Sequence, residues 1–379
     1  MRGRWWAGVA AAWAADRVWR WSGLGTLRRA RSAQPGLGLL LEGGPDPAVT
    51  PAVLAALRTA GVTVTFAFEP PLARRHPGLA AQAAQEGHDV VPFVRVGWWP
   101  WTWWPALRVV PPGSAAPGLR LAGPVPAVVA ALLSWRWGVA LTAGQVQGRW
   151  ADRQLVLPGV RPGALAHLSG TDPRLPEALP ALLGDLKARG YEVRGLSGLR
   201  GLRPERPRDL PATALQFVDV LYDRVGRIRR VGAHASSLFR VGMASYPLAD
   251  VALPGGERVR RGERLVEFHL DSARLTELAE RPLAGRRIIT HSVRDLARAV
   301  RDEPEWNAAT AVFSISIFSD VLALYGFTVL DLPPGRRRAL TWWSRVIRRA
   351  YGVSDPRKQH VPRLAVIARE DLIRRHARD

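Results

Sequence analysis

Apolar runs alternate with amphipathic stretches along the first half of the chain. The apolar run 36–41 ends abruptly in an acidic, Gly/Pro-rich turn over 42–47, a pattern typical of a strand that is buried on both faces. The stretch 51–60 predicts a helix with Thr50 as its N-cap, and the residues 62–68 predict the next strand. This βαβ unit predicts an α/β fold.

The alternation of helices and strands continues to about residue 197. Helices are predicted over 77–86 and 175–190, and strands over 90–94 and 191–193. Between them, the weaker patterns at 125–135 and 139–141 suggest a helix and a strand. The first domain is therefore assigned to 36–197.

The pattern changes after a Pro/Arg/Gly-rich stretch at 198–211, which is predicted to be a linker. From 212 to 379 the chain reads as a smaller α+β domain. Helices are predicted over 212–222, 272–280, 291–302 and 335–351, and strands over 237–245, 250–253, 310–317 and 364–367.

The residues 1–35 form a Trp- and Arg-rich segment of their own. Its apolar run, 5–15, is too short to span a bilayer. We expect a helix that either packs on the first domain or lies at a membrane interface. A cleaved signal peptide is the alternative, because Arg2 and Arg4 precede the run and 12–14 resembles a cleavage site.

Composition narrows the function classes. The 379 residues include no cysteine, which excludes disulfides, thiolate metal sites and a cysteine nucleophile. The formal net charge is +22, almost all of it from arginine, which favours anionic partners. The paired arginines are scattered rather than clustered and no nucleic-acid-binding motif is present, so a specific nucleic-acid partner is not expected.

Four short motifs follow one another along the first half. They occupy the loop 42–46, the strand pair 65–66, the stretch 86–93 and the stretch 161–170. In this order they resemble the T-F-D-D-G-P-D, T-F, E-G-H-E-I-G-N-H and R-P-G-A-I-V-L-L-H-D motifs of polysaccharide deacetylases (NodB homology, carbohydrate esterase family 4). The resemblance implies a NodB-type distorted (β/α) barrel.

The resemblance also assigns the family's functional positions to residues of this chain, and most of these carry a different side chain. Glu42 stands where the family has its aspartate general base. Gly43, Phe93 and Gly97 stand at the metal-ligand positions, and Ser169 stands at that of the general-acid histidine. Because a hydrolytic zinc ion needs three protein ligands, the resemblance implies a barrel without a metal.

Four other polar residues of this half are candidates. Arg120 resembles the family arginine that orients the catalytic carboxylate, and Asp46 keeps the last aspartate of the first motif. His167 lies two residues before the acid position and on the same side of the strand, as a displaced acid or as a packed histidine. His88 is an alternative metal ligand, but it lies on the far side of its strand, where a structural role is favoured.

A tryptophan-rich segment replaces the family's histidine loop after the third strand. Three interpretations are open: the indoles fill the volume of the absent metal and substrate, stack on a glycan or glycolipid, or contact a membrane. The residues concerned are Trp98, Trp99, Trp101, Trp103 and Trp104.

The second half carries a strand of the form G-D-x-x-x-E-x-H, represented by Gly262-Glu263, Glu267 and His269, and later a Gly326-Phe327 turn. These features resemble the YkoP-like domain. Glu267 and His269 alternate onto one face, as an acid/base pair, as two metal ligands or as a structural pair.

Three functions follow as hypotheses. The first is a pseudoenzyme of the deacetylase family that binds an envelope glycan, a glycolipid or a partner protein, without a cofactor. The second is an active deacetylase of N-acetylated sugars with a rebuilt site. The third is a peripheral membrane scaffold on an anionic surface. A cytoplasmic or membrane-peripheral location is expected, with secretion as the alternative.

Overall fold

The computed structural model describes residues 17, 21–31, 35–95, 120–122, 141–142, 146–232, 234–271, 274, 282–351 and 361–377. The chain divides into two compact units, Met1–Arg208 and Asp209–Asp379. The division falls within the stretch 198–211. No helix in the described ranges is long and apolar enough to cross a membrane.

The first unit alternates strands and helices as its hydrophobic pattern predicts. In chain order its elements are β1 (Thr26–Leu27), β2 (Gly36–Glu42), α1 (Thr50–Ala60), β3 (Thr65–Phe68), α2 (Pro70–Arg75), α3 (Pro77–Gln85), β4 (Asp89–Arg95), β5 (Arg120–Ala122), β6 (Leu141–Thr142), β7 (Val146–Gln147), β8 (Arg149–Ala151), β9 (Gln154–Val156), β10 (Leu165–Ser169), α4 (Leu175–Ala188) and β11 (Glu192–Arg194).

The main sheet of this unit is parallel, in the order β5-β4-β3-β2-β10-β7. Strand β11 also pairs with β2, along Gly36–Gly38, while β3 pairs with the last three residues of β2. The strand β2 is buried on both faces, since Leu37, Leu39, Leu40 and Leu41 are fully buried. The predicted α/β fold is confirmed.

Glycine at position 38 permits close packing on the inner face of β2. A Cβ there would lie 2.6 Å from side-chain carbons of both Leu165 and Leu199. These two leucines form a buried cluster with Leu40 and Leu196. The lower part of the inner face is therefore filled by apolar side chains, and polar residues appear at the carboxyl ends of the strands.

Two details of the first unit correct the sequence-based expectations. Thr50 is not an N-cap: it lies in the first turn of α1, where its Oγ1 accepts a hydrogen bond from the Asp46 backbone N–H at 2.9 Å. In the described part of the segment 1–35, Arg17, Trp21 and Ser22 are helical, and a turn and the strand β1 follow instead of a continuous helix. The predicted helices at 5–15 and 125–135 lie outside the described residues, and of the predicted strand 139–141 only Leu141 is described, in β6.

The second unit is α+β, as predicted. In chain order it contains α5 (Leu210–Val225), β12 (Arg229–Arg230), β13 (Phe239–Ser245), β14 (Val251–Ala252), β15 (Arg258–Val259), β16 (Arg264–Leu270), α6 (Pro282–Asp302), β17 (Ala311–Ser316), α7 (Ser319–Ala323), β18 (Thr328–Leu330), α8 (Pro334–Ala350), β19 (Arg363–Ala368) and α9 (Arg369–His376).

Its mixed sheet has the order β12-β13-β16-β17-β19-β18. One face carries a buried cluster that includes side chains of α6 and α9, such as Val293 and Leu372. The other face carries a second cluster around Tyr246 and Phe313. Helix α6 begins nine residues before the predicted start at 291, and the predicted helix 272–280 lies, apart from Arg274, outside the described residues.

Candidate functional site

Three strands of the first unit bring together a carboxylate, an imidazole and a guanidinium. Glu42 is the last residue of β2, Arg120 the first of β5, and His167 lies in β10. The parallel register places His167 beside Leu40 and Ser169 beside Glu42. Because side chains alternate along a strand, Glu42 and His167 point to the same face.

Both basic groups contact one oxygen of Glu42. Arg120 Nε donates a hydrogen bond to Glu42 Oε1 at 2.7 Å, and the same oxygen meets His167 Nδ1. The side chain of His167 is 7% exposed, while those of Glu42 and Arg120 are 20% and 23% exposed. The triad is thus anchored in the interior at His167 and reaches the solvent at the other two residues.

The charges of the triad follow from opposing effects. Burial acts to raise the pKa of Glu42, but the hydrogen bond with His167, together with the charge and hydrogen bond of Arg120, outweighs it, so the pKa is lowered. Burial lowers the pKa of His167 by more than the hydrogen bond with Glu42 raises it. At neutral pH the arrangement is therefore an ionised Glu42, a neutral His167 and a cationic Arg120.

This protonation state fixes the imidazole tautomer. Nδ1–H of the neutral His167 donates to the Glu42 carboxylate, which leaves Nε2 as an acceptor. Nε2 is buried and has no hydrogen-bond partner among the described residues. A buried acceptor without a hydrogen bond is rare and costs free energy. The unpaired Nε2 therefore indicates a functional polar site rather than ordinary core packing.

The positions that the resemblance assigns to metal ligands do not fit a divalent ion. Gly43 has no side chain, and Phe93 is buried in an apolar cluster with Ala67 and Val91. Gly97 lies outside the described residues. The described part of the chain contains no group of three or more His, Asp or Glu side chains that could hold a metal.

Gly43 also has a backbone that disfavours a ligand-bearing side chain. Its φ is +96°, in the region that only glycine adopts without strain. A Cβ there would lie 3.2 Å from Thr171 Cγ2. An aspartate at this position would therefore be strained by its backbone and crowded by its neighbour.

Ser169 ends β10 beside Glu42, and Asp46 lies in the loop after β2; neither side chain joins the triad. Ser169 is exposed, and its Oγ is 3.4 Å from Thr171 Oγ1. Asp46 Oδ1 accepts a hydrogen bond of 2.8 Å from the Ala48 N–H, an Asx turn that leads into α1. These contacts account structurally for both residues.

His88 is held by the fold on the opposite side of the sheet. Its Nδ1 accepts a hydrogen bond of 3.2 Å from the Val64 N–H, and its ring meets Phe66 edge-on with centroids 5.3 Å apart. Burial lowers its pKa. The hydrogen bond and the apolar neighbour give this histidine a structural place.

The sequence interpretation missed a polar cluster of Trp150, Asp172 and Arg174. Trp150 Nε1 donates to Asp172 Oδ2 at 2.8 Å, and Arg174 lies 4.1 Å from the indole centroid. Arg174 also pairs with Asp172 and, as the largest influence, lowers its pKa to about 2. The sequence signal for this cluster was the Thr-Asp-Pro-Arg stretch after β10, which begins directly after the motif at 161–170.

In the second unit, Glu267 and His269 do share a face of β16. His269 Nε2 is 3.5 Å from Glu267 Oε2, and the His269 ring meets Tyr222 edge-on with centroids 5.4 Å apart. Burial, and after it the charge of Glu267, raises the pKa of Tyr222. The two strand residues therefore lie next to Tyr222 of α5.

A second histidine cluster in this unit was not predicted. The rings of His234 and His291 have centroids 4.4 Å apart, and His291 Nε2 is 3.9 Å from Asp295 Oδ2. Ser237 Oγ donates to the same carboxylate. Only the i,i+4 spacing of His291 and Asp295 on α6 could have indicated it from the sequence, because His234 comes from a distant loop.

The tryptophan-rich segment has no structural description. Trp98, Trp99, Trp101, Trp103 and Trp104 all lie outside the described residues. Its role therefore stays a prediction.

Comparison with known families gives one assignment. Residues 209–376 match the model of the YkoP domain family. The second unit is therefore a YkoP domain, and that prediction is confirmed. No curated protein sequence is significantly similar to the chain.

Comparison with solved structures gives weak matches that cover about half of the chain. A family 4 carbohydrate esterase from Bacillus anthracis is 18% identical with a TM-score of 0.38, covering 46% of this chain and 87% of the esterase. The values for Bacillus subtilis PdaA are 18%, 0.35, 46% and 84%. A mutant of a pseudoenzyme of the same family gives 17%, 0.35, 46% and 69%. Neither substrate nor catalytic status follows from matches at this level.

Proposed function

We propose that the first unit is a pseudoenzyme of the polysaccharide deacetylase type that binds an N-acetylated envelope glycan without a metal. The observation that carries the proposal is the engagement of Glu42: its carboxylate is held by Arg120 and His167, next to metal positions that offer no donor. A carboxylate neutralised in this way is suited to hydrogen bonding rather than to holding a cation.

The chemistry of the triad supports a sugar as the ligand. Glu42 and Arg120 are partly exposed and supply an acceptor and several donors in a fixed geometry. Sugar hydroxyls and the acetamido group pair with both kinds of partner. The tryptophans of 98–104 are proposed to stack on the pyranose rings of the same ligand.

The test combines metal analysis with binding. The full chain is titrated calorimetrically with an N-acetylglucosamine tetramer and with the de-N-acetylated tetramer. We expect binding of the acetylated form, no stoichiometric zinc, and a loss of affinity of about 10–100-fold in Glu42→Gln, as for a charged hydrogen bond. Glu86→Gln, which breaks a carboxylate–arginine pair with Arg58 outside the site, is the matched control and should bind normally.

Two outcomes would overturn the proposal. Stoichiometric zinc together with acetate release would indicate an enzyme. Failure of both tetramers to bind, or equal loss in the two glutamine variants, would remove the triad as a glycan site.

A second candidate function, hydrolysis of N-acetyl groups without a metal, is favoured by one observation. The neutral His167, with Nδ1–H on a carboxylate and Nε2 unpaired, is arranged like a general base. In this structure Nε2 is shielded from solvent, so the site would have to open before a water molecule could reach it. Acetate release that disappears in His167→Gln would support this candidate; its absence in the wild type would exclude it.

A further inference from the structure

Helix α5 of the YkoP domain is oriented with its polar side towards the protein. Asp219 and Asp223 face the sheet and pair with Arg240 of β13, at 3.4 Å and 2.8 Å respectively. The Arg240 side chain is 7% exposed. Buried ion pairs of this kind hold a helix in a defined rotation because breaking them leaves an uncompensated charge.

The apolar side of α5 consequently faces outward. Val218, Leu221 and Val225 are spaced i, i+3 and i+7, so they form one stripe, and their exposed fractions are 46%, 53% and 78%. Val220 beside them is 51% exposed. An amphipathic helix normally buries its apolar side against the protein core. The exposed stripe therefore indicates a surface that contacts another apolar environment.

Helix α8 contacts α5 and adds tryptophan and arginine to the same surface. Its sequence contains six arginines and no carboxylate. Arg338, Trp342, Arg345 and Arg349, spaced by three or four residues, are all exposed. Trp342 is 63% exposed, and its ring centroid lies 6.3 Å from that of Trp343. We call the outward faces of α5 and α8 the α5/α8 surface.

We propose that the α5/α8 surface docks on an anionic lipid bilayer. The reason is charge complementarity: every charged side chain of α8 is an arginine, and the two carboxylates of α5 point inward to Arg240. Tryptophan settles at the headgroup level, and arginine beside it attracts anionic headgroups. A helix with these residues lies in the interface plane with its apolar side chains about 5–10 Å deep.

A second copy of the chain fits this surface less well. A two-fold contact would place the arginines of one α8 near those of the other, and like charges brought together without counterions repel. The proposal is independent of the glycan site and of the segments 1–16 and 98–104.

The test uses the full-length chain and sedimentation with vesicles of phosphatidylcholine alone or with 30% phosphatidylglycerol. We expect binding only to the anionic vesicles, weakening as salt is raised. Arg345→Glu/Arg349→Glu should lower the partition coefficient by at least about tenfold, since each arginine near an anionic surface contributes about fivefold. Leu221→Ser/Trp342→Ser should weaken binding several-fold in the same vesicles.

Matched controls separate docking from general charge or folding. Arg260→Glu/Arg261→Glu makes the same charge change in an exposed turn, and Leu324→Ser removes an apolar side chain that is 79% exposed directly after α7. Both should bind as the wild type does, and circular dichroism should show all variants folded. Equal binding to neutral vesicles, equal loss in controls and test variants, a dimer that Trp342→Ser dissociates, or tighter capture by duplex DNA than by vesicles would each overturn the proposal.

Discussion

Arg120 Nε and Glu42 Oε1 are joined by a hydrogen bond of 2.7 Å although the residues are 78 positions apart in the chain. The bond spans β5 and β2, with β4 and β3 between them in the sheet. The Arg120 side chain bridges these two strands because it is long and because Glu42 lies on the same face of the sheet. Together with His167, this pair forms an internal salt-bridged triad.

We predict that Glu42→Gln lowers the pKa of His167 further. In the wild type, the hydrogen bond and negative charge of Glu42 raise that pKa against the effect of burial. The glutamine removes the charge, so the imidazole becomes harder to protonate. Histidine-selective NMR titration measures the change, and Glu86→Gln is the control. An unchanged or raised pKa of His167 would contradict the assigned charges.

We also predict that the protein loses stability as the pH falls below about 6.5, the ordinary pKa of histidine. His167 has a lowered pKa in the folded state, so the unfolded chain takes up its proton first and unfolding is favoured on acidification. The loss is about 1.4 kcal/mol per unit of lowering. His88 and His234, whose pKa values are also lowered mainly by burial, add to it.

Thermal unfolding between pH 8 and pH 5 measures this dependence. Glu42 acts in a lower window: its lowered pKa contributes stability that is present above the pKa of the unfolded chain and lost as the pH falls through that of the folded chain. His167→Gln should flatten the curve between pH 6.5 and 5, whereas His76→Gln controls for the loss of one partly exposed imidazole. Parallel curves for wild type and His167→Gln would show that His167 is not the group concerned.

A third prediction concerns Gly43, which the resemblance places at a metal-ligand position. Gly43→Ala should destabilise the first unit more than Gly61→Ala. Both glycines have positive φ, +96° and +64°, but a Cβ at Gly61 meets nothing within 4 Å, whereas at Gly43 it meets Thr171 Cγ2 at 3.2 Å. Strain of this kind costs about 1–3 kcal/mol.

Chemical denaturation gives the two free energies of unfolding, and a double variant tests the cause. Thr171→Ser removes the crowding methyl group and keeps the hydroxyl, so Gly43→Ala/Thr171→Ser should recover part of the loss. No recovery would assign the whole cost to the backbone. Equal losses of unfolding free energy in Gly43→Ala and Gly61→Ala would show that the loop accommodates a Cβ at position 43 without added strain.

The three residues of the triad show how much of the site could be predicted from the sequence. Strand alternation places Glu42 and His167 on inner faces, and the resemblance points to Arg120. That His167 reaches Glu42 depends on the register of β10 against β2, with His167 beside Leu40. Register between strands that are distant in sequence is set by packing and loop lengths, which no local pattern encodes.

In the second unit, even less of the arrangement could be predicted from the sequence. The amphipathic pattern of α5 predicts a helix correctly, but the ordinary rule would bury its apolar side. The opposite rotation follows from Arg240, a single residue of β13 that engages two aspartates of the helix. The His234–His291 contact likewise needs the tertiary fold, since only a helical spacing on α6 hints at it.

The last prediction tests the ion pairs that orient α5. Arg240→Met should destabilise the second unit by about 3 kcal/mol, because it leaves Asp219 and Asp223 without the cation that faces them. Adding Asp219→Asn and Asp223→Asn should recover most of this loss, since the side chains that faced Arg240 are then neutral amides. Urea unfolding measures both, and Arg294→Met, at an exposed position of α6, controls for removing an arginine. If the triple variant were no more stable than Arg240→Met, the rotation of α5 would depend on packing rather than on these charges.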